Sequence, residues 1–366
     1  MSTSKASASQ ESPTPSGELP QLSEDILMQI LSRLPAKSLL RFSTNRDEEY
    51  GVGSKVISFI SDQTSSLLRN MDIDITSSLS LSPDMLGVTL DGEVQVFGPC
   101  NGVICLTNLY DIVLCNPAIR EYRAVPLPPF SYPRDLQSRT EGVGFGYDPI
   151  TNDYKVIRIS ELFEDEYGYS FDSFRVEIYN MSTDSWRHVD VDIPIDVGHF
   201  PCFEIFFNGA FHFYGCDGVD SESILSFDIT KEEFRSFGFP PGCFYPDGRY
   251  RSLSVLNDSL ALILYKPSDS EKCFDVWVMS EYGVEESWSQ VFSIGPLPGI
   301  DCPLTVWKDR ELLLESSSGQ LVSCYLENQE IKEFSVYGFP KTLRALPYKE
   351  SLVSIKRGSH LGEHGN

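Results

Sequence analysis

The sequence predicts a mainly β protein of the β-propeller type, preceded by a short helical segment at the N-terminus. From residue 96 to about 355, short apolar runs alternate with turns rich in Gly, Asn, Asp and Pro, which is typical of strands. The turn anchors Asp148, Asn180, Asp228 and Ser280 are separated by 32, 48 and 52 residues. A repeat near 45 residues is typical of propeller blades, and a β-sandwich with long loops is the alternative fold.

A strand, a turn that opens on Asn or Asp, and a returning aromatic residue form the recurring unit. It occurs at 114–122, 146–154, 178–186 and 226–234, and more loosely at 324–334. Asn101-Gly102 and Asn208-Gly209 also precede apolar runs, and Asn-Gly favours a two-residue hairpin turn. A propeller built from such units would offer a binding platform, because binding residues concentrate in the loops on its rims.

The N-terminal segment changes character abruptly at residue 18. Apart from Met1, residues 1–17 lack large hydrophobic side chains, which predicts a disordered tail. Ser23 is a suitable N-cap for a helix, and Pro35 stops it. Five side chains then share one apolar face of this helix, namely Ile26, Leu27, Ile30, Leu31 and Leu34. That face must dock either on a partner or on the rest of the chain.

Residues 37–95 have a weaker pattern. Lys37 to Phe42 predicts the start of a second short helix, and Val56 to Leu68 also fits a helix. The alternation at 77–82 and at 93–97 indicates strands. We therefore divide the chain into a tail (1–17), a docking segment (18–45), a divergent linker with the first strands (46–95), a β-domain (96–355) and a second disordered tail (356–366).

Charge and composition exclude several kinds of partner. The net charge is −24, from 53 acidic and 29 basic residues, and such a field repels nucleic acid and anionic membranes while attracting basic proteins. No apolar run is long enough to span a membrane, and the first residues do not resemble a signal peptide. Nine scattered cysteines without secretion predict reduced thiols. We expect a cytoplasmic protein, with nuclear residence also open.

Signals for catalysis or cofactors are weak. His360 and His364 lie four residues apart, but Gly362 disfavours a helix there. The glycines of Gly142-Val-Gly144-Phe-Gly146 precede a turn and not the helix that a phosphate site needs, so they favour close packing of a strand. The sequence predicts no metal, no cofactor and no catalytic residue.

One acidic stretch, 161–172, is a candidate for contact with a basic partner. It contains five acids and four aromatic residues and no base. Acids can steer a basic protein, and aromatic side chains can anchor it; a solvated hairpin loop is the alternative. The candidate target-binding residues are Glu161, Glu164, Asp165, Glu166, Tyr167, Tyr169 and Asp172.

Three stretches together resemble the plant F-box proteins that carry an F-box-associated domain. Residues 19–42, with LeuProAlaLysSerLeuLeuArgPhe at 34–42, look like the first half of an F-box. GlyProCysAsnGlyValIleCysLeu (98–106) resembles the opening of the associated domain. TrpValMetSerGluTyrGlyValGluGluSerTrp (277–288) is similar to a signature of that domain. The ending at 337–355 resembles the S-locus F-box branch, which acts in self-incompatibility.

The resemblance implies a kelch-like propeller and a non-catalytic substrate receptor of an SCF-type ubiquitin ligase. Such a receptor is attached to a cullin through the Skp adaptor. It promotes protein ubiquitination by holding a target lysine close to a charged conjugating enzyme. In the S-locus branch the target is a typically basic style ribonuclease. The residues that would contact the adaptor, or pack behind those contacts, are Leu19, Pro20, Leu22, Ile26, Ile30, Leu31, Leu34, Pro35 and Leu39.

The sequence departs from this family after Phe42. The family continues with a Val-Cys-Lys-x-Trp segment and a further helix, whereas this chain has SerThrAsnArgAspGluGluTyr at 43–50. The sequence is compatible with three functions. The chain is a ligase receptor, a stand-alone or decoy binding module with a truncated F-box, or an enzyme on a propeller scaffold.

Overall fold

The computed structural model describes residues 38–46, 53–61 and 67–71 as strands, and residues 95–356 except for 109–110, 120, 130–135, 165–169, 199–203, 218–220, 244–249, 309, 339 and 342. For the three N-terminal strands only the backbone is described. The predicted helix at 23–34 and both predicted tails lie outside these residues, apart from Lys356. No helix in the described part of the chain is long and apolar enough to cross a membrane.

The described strands form six antiparallel sheets. Sheet I contains β4 (Gln95–Cys100), β5 (Val103–Thr107), β6 (Ile112–Asn116) and β7 (Glu121–Ala124). Sheet II contains β8 (Leu136–Asp148), β9 (Asp153–Glu164), β10 (Ser170–Asn180) and β11 (Ser185–Val189). Sheet III contains β12 (Asp196–Gly198), β13 (Ile205–Phe207), β14 (Ala210–Asp217), β15 (Ser221–Asp228) and β16 (Glu233–Gly238).

The remaining three sheets complete the ring. Sheet IV contains β17 (Tyr250–Leu256), β18 (Ser259–Tyr265), β19 (Glu271–Met279) and β20 (Trp288–Pro298). Sheet V contains β21 (Ile300–Trp307), β22 (Glu311–Ser316), β23 (Gln320–Tyr325) and β24 (Ile331–Tyr337). The closing sheet has the order β25-β1-β2-β3 and combines β25 (Arg344–Tyr348) with β1 (Ser38–Arg46), β2 (Gly53–Ser61) and β3 (Leu67–Met71).

The first strand of each sheet lies next to its counterparts in the neighbouring sheets, so the sheets form a closed ring. Contacts run from β4 to β8, from β8 to β13 and β14, from β13 to β17, from β17 to β21, from β21 to β25 and back to β4. This arrangement confirms the predicted propeller and excludes the β-sandwich. The ring is closed by hydrogen bonding between the C-terminal strand β25 and the N-terminal strand β1.

Two helix predictions are wrong. Lys37 to Phe42 was expected to begin a helix, but Ser38–Arg46 forms β1, which pairs with β2 on one side and β25 on the other. Val56 to Leu68 also fitted a helix, but this stretch enters β2 and β3. In both cases long-range strand pairing overrides a short local pattern, because an apolar run of this length fits either structure.

The recurring sequence units are turns that join adjacent strands within a sheet. Their Asn and Asp side chains accept hydrogen bonds from backbone N–H groups two residues later: Asn116 Oδ1 from Ala118, Asp148 Oδ1 from Ile150, and Asp228 Oδ1 from Thr230. This is the local turn that Asn and Asp favour. The predicted hairpin at Asn101-Gly102 is also present, with φ values of 48° and 77°.

Alternating glycines let the inner strand of sheet II pack closely on sheet III. A Cβ on Gly144 would lie 2.6 Å from Phe211 Cδ1, and one on Gly142 would lie 2.9 Å from Phe213 Cε1. The prediction that these glycines serve packing is therefore confirmed. Val143, between them in sequence, is itself buried in the same core.

Candidate functional site

The predicted target-binding stretch lies on the longest strands of sheets I and II. β8, β9 and β10 contain 13, 12 and 11 residues, whereas the strands of sheet I contain four to six. At about 3.3 Å per residue, β9 is roughly 36 Å long and extends well beyond the strands of sheet I. We call residues 136–141, 160–164 and 170–174 the arm.

The arm projects from one face of the ring, and β1 starts at the other. The turn at 148–153 lies at the same end of the ring as Thr230 of sheet III, because Thr230 Oγ1 donates a hydrogen bond of 2.8 Å to Asp148 Oδ1. On this same turn face the chain leaves β25 at Tyr348, whose hydroxyl donates to the carbonyl of Gly102 at 3.1 Å. Ser38, the first residue of β1, is the Cα partner of Tyr348. β1 therefore begins at the turn face, opposite the arm.

The structure describes the candidate target-binding residues only in part. Asp165, Glu166, Tyr167 and Tyr169 lie outside the described residues, and for Glu164 and Asp172 only the strand backbone is described. The Glu161 carboxylate is held by Arg139 of β8, with 2.7 Å between Arg139 Nη2 and Glu161 Oε2. Arg139 also contacts Glu141. Glu161 therefore has a structural partner, and most of the stretch is strand and not loop.

The candidate adaptor contacts lie almost entirely N-terminal of the described residues. Leu19, Pro20, Leu22, Ile26, Ile30, Leu31, Leu34 and Pro35 precede Ser38. Leu39 is described through its backbone, which lies in β1 with Ile60 and Pro347 as its Cα partners. An adaptor contact by any of these residues stays a prediction.

A cavity of about 550 Å³ lies on the axis of the ring. Its walls come from the inner strands β4, β13, β17, β21 and β25, and they include the apolar side chains of Phe97, Leu253, Leu304 and Val306. Charged residues of both signs flank it: Glu204, Asp258, Lys308 and Arg344. The volume suits an organic ligand or a few inserted side chains. Sequence reasoning missed this cavity because its walls come from five strands that are far apart in the chain.

Buried charges in the ring connect neighbouring sheets. Lys155 of sheet II donates to Asp148 Oδ2 at 2.8 Å and to Glu232 Oε1 of sheet III at 3.0 Å. Arg251 of sheet IV pairs with Glu222 of sheet III at 2.6 Å. Burial alone would raise the pKa of Asp148, but hydrogen bonds from Lys155, Thr151 and Thr230 hold it well below its ordinary value. These pairs link sheet II to sheet III and sheet III to sheet IV.

His212 is a core residue. Its side chain is fully buried, and its ring nitrogens lie 3.1 Å from the Ile205 carbonyl oxygen and 2.8 Å from the Tyr282 hydroxyl. Burial lowers the pKa of His212 to about 4, so the imidazole is neutral at physiological pH. Within the described residues, no group of three or more His, Cys, Asp or Glu side chains is placed to hold a metal ion. His360 and His364 lie outside those residues.

The described cysteines are free thiols, as predicted. Cys100, Cys105 and Cys115 are buried in sheet I, and burial raises the pKa of the Cys100 thiol to about 12. Their thiols are therefore inert, because a reactive cysteine needs a lowered pKa. Cys273 of sheet IV is exposed.

Comparison with known proteins decides the family. The model of the F-box associated beta propeller domain matches residues 54–352, which is most of the chain. This chain belongs to the F-box-associated propeller family. The F-box domain model matches residues 19–44. The resemblance to F-box proteins with an F-box-associated domain is thereby confirmed, whereas the S-locus branch stays a prediction. The propeller match begins within β2.

Similar proteins include F-box proteins of Arabidopsis thaliana. F-box protein CPR1 is 27% identical over 90% of this chain and 88% of its own length. F-box protein At3g07870 is 29% identical over 86% of this chain and 83% of its own length. Among solved structures, an oligogalacturonate lyase in complex with manganese aligns over 81% of this chain and 85% of its own, at 10% identity and a TM-score of 0.41. That likeness carries no argument about function.

Proposed function

We propose that this chain is the substrate-recognition subunit of an SCF-type ubiquitin ligase, and that it performs no bond chemistry itself. The observation that carries the proposal is the presence, on one chain, of an F-box match at 19–44 and a propeller match at 54–352. The F-box would bind a Skp adaptor and through it a cullin. The propeller would hold the protein to be ubiquitinated, in the cytoplasm or the nucleus.

The positions of β1 and the arm, at opposite faces of the ring, support separate binding sites for the adaptor and the target. Because the chain enters the ring on the turn face and the arm projects from the opposite face, an adaptor and a target can bind at the same time without overlap. A target held on the arm side would be presented away from the docking segment. Holding a target lysine near a charged conjugating enzyme raises its effective concentration.

The adaptor contact can be tested with one substitution. Leu31→Asp places a charge on the apolar face of the predicted helix, where burial of a large side chain is worth about 1.5–3 kcal/mol. We expect it to abolish capture of a purified Skp adaptor and to leave the melting temperature of the propeller unchanged. Leu127→Asp is the matched control, because Leu127 is 69% exposed on the ring. Adaptor capture that is equal in both variants would refute docking through this helix.

The target side of the proposal is a basic protein, with a basic style ribonuclease as the probe. The net charge of −24 would attract it, and added salt would weaken the contact. Charge reversal in the arm, with Glu164→Lys and Asp172→Lys together, is expected to weaken binding of this probe. Glu333→Lys is the control, because Glu333 is exposed on the distant sheet V. Binding that is insensitive to the arm variants would remove the arm from the target site.

A second candidate function is a binding module that does not assemble with the adaptor. The observation that favours it is that residues 38–44, which belong to the F-box match, form part of β1. Under this alternative the intact chain would bind its target through the propeller and fail to capture the adaptor. A version carrying a complete F-box would then regain adaptor capture.

A further inference from the structure

One segment of the chain has two assignments. Residues 38–44 lie within the F-box match, which ends at residue 44. The same residues form most of β1, and the propeller match does not begin until residue 54. By family comparison β1 belongs to the docking segment, whereas by structure it belongs to the ring.

β1 is an interior strand of the closing sheet. All nine of its residues are paired with β2, from Ser38 opposite Ser61 to Arg46 opposite Gly53. Its first five residues are also paired with β25, from Ser38 opposite Tyr348 to Phe42 opposite Arg344. The backbone of residues 38–42 is therefore paired with β2 and with β25 at the same time.

Removing β1 would break the closure of the ring. In the closing sheet, β1 stands between β25 and the hairpin of β2 and β3. Without it, β25 and β2 would each present an unpaired edge, which favours aggregation. A helix formed by residues 38–44 on an adaptor would have that consequence, because a helix satisfies its backbone groups internally.

We propose that β1 stays in the ring when the adaptor binds, so that the adaptor-docking surface of this chain ends at residue 37. Leu39 then contributes to ring closure and not to the adaptor interface. Residues 38–46 are then excluded from the adaptor interface. This inference rests on the proposed function, and it narrows the partner surface to half of an F-box.

A disulfide between β1 and β25 tests the inference. Directly opposed residues of antiparallel strands have Cα atoms about 4.5–5.5 Å apart, which lies within the range of a disulfide. Leu40 is opposite Leu346, and Arg41 is opposite Ala345. The variants are Leu40→Cys with Leu346→Cys, and Arg41→Cys with Ala345→Cys, both in a Cys273→Ser background that removes an exposed native thiol.

The first readout is formation of the crosslink in the adaptor-free protein. We expect at least one in-register pair to oxidise readily, to raise the melting temperature and to map to the designed cysteines by mass spectrometry. Leu40→Cys with Arg344→Cys is the control, because these positions are two residues out of register. Equal crosslinking in and out of register would show that β1 does not occupy this position, and the inference would be overturned.

The second readout is adaptor binding by the oxidised and the reduced protein. We expect equal dissociation constants, since the crosslink fixes a strand that the adaptor does not use. A tenfold or greater weakening in the oxidised protein, about 1.4 kcal/mol or more, would overturn the inference while leaving the proposed function intact. Absence of binding in both states would overturn the proposed function and the docking surface together.

A pair of substitutions gives independent support. Phe42→Asp lies in β1 and is expected to lower the melting temperature of the ring and to retain adaptor capture below that temperature. Leu31→Asp is expected to show the opposite combination. Loss of adaptor capture by Phe42→Asp in a protein that remains folded would contradict the inference.

Discussion

Glu315 offers a quantitative test of how the ring is held together near its closing strand. Its side chain is fully buried at the end of β22, and its Oε1 accepts a hydrogen bond of 2.7 Å from the backbone N–H of Lys341. Lys341 lies in the connection that leads into β25. Burial raises the pKa of Glu315 from 4.5 to about 7.

The raised pKa makes stability depend on pH. The folded state binds the Glu315 proton more tightly than the unfolded state does, so the free energy of unfolding falls as pH rises from about 4.5 to about 7. A pKa difference of about 2.5 at about 1.4 kcal/mol per unit corresponds to a loss of about 3 kcal/mol. Above about pH 7 the full loss is present.

Glu315→Gln removes this dependence and keeps an oxygen that can accept the Lys341 N–H. We expect the variant to match the wild type at about pH 4.5 and to exceed it by about 3 kcal/mol at about pH 8. Urea unfolding at both pH values measures the difference, in which other titrating groups cancel. Glu327→Gln, at an exposed position of sheet V, is expected to change neither value. A Glu315→Gln effect that is equal at both pH values would refute the reasoning.

Two further substitutions test contacts between sheets II and III. Lys155→Met leaves Asp148 and Glu232 without their buried cation. We therefore expect the free energy of unfolding to fall by about 3–5 kcal/mol. A fall of less than about 1 kcal/mol, which is typical of an ion pair on the surface, would contradict the buried ion pair. Gly144→Ala places a Cβ 2.6 Å from Phe211, and we expect a loss of about 1–3 kcal/mol by thermal unfolding. An unchanged melting temperature would show that the contact with Phe211 can relax.

Much of the ring could be predicted because its turns are determined locally. Asn101 and Gly102 adopt positive φ angles that few other residues tolerate, so the hairpin can be identified from this pair of residues alone. The Asn116, Asp148 and Asp228 side chains likewise define their turns through bonds to residues two positions away. Such signals do not depend on the rest of the fold.

The strand β1 could not be predicted in the same way. Leu39, Leu40 and Phe42 fit an apolar helix face as well as a strand, and the choice depends on β25, about 300 residues away. The extension of β9 into the acidic stretch 161–172 could not be predicted for a similar reason. Acidic residues disfavour strands, but Glu161 is paired with Arg139 of β8, so β9 continues to residue 164. The axial cavity is a property of the closed ring alone.

Direct titration of a purified Skp adaptor with the intact chain tests the central claim of receptor function. We expect a one-to-one complex for the wild type and for Leu127→Asp, and none for Leu31→Asp. Absence of a complex for the wild type, in a protein whose propeller is folded, would contradict receptor function. That result would favour a binding module that does not assemble with the adaptor.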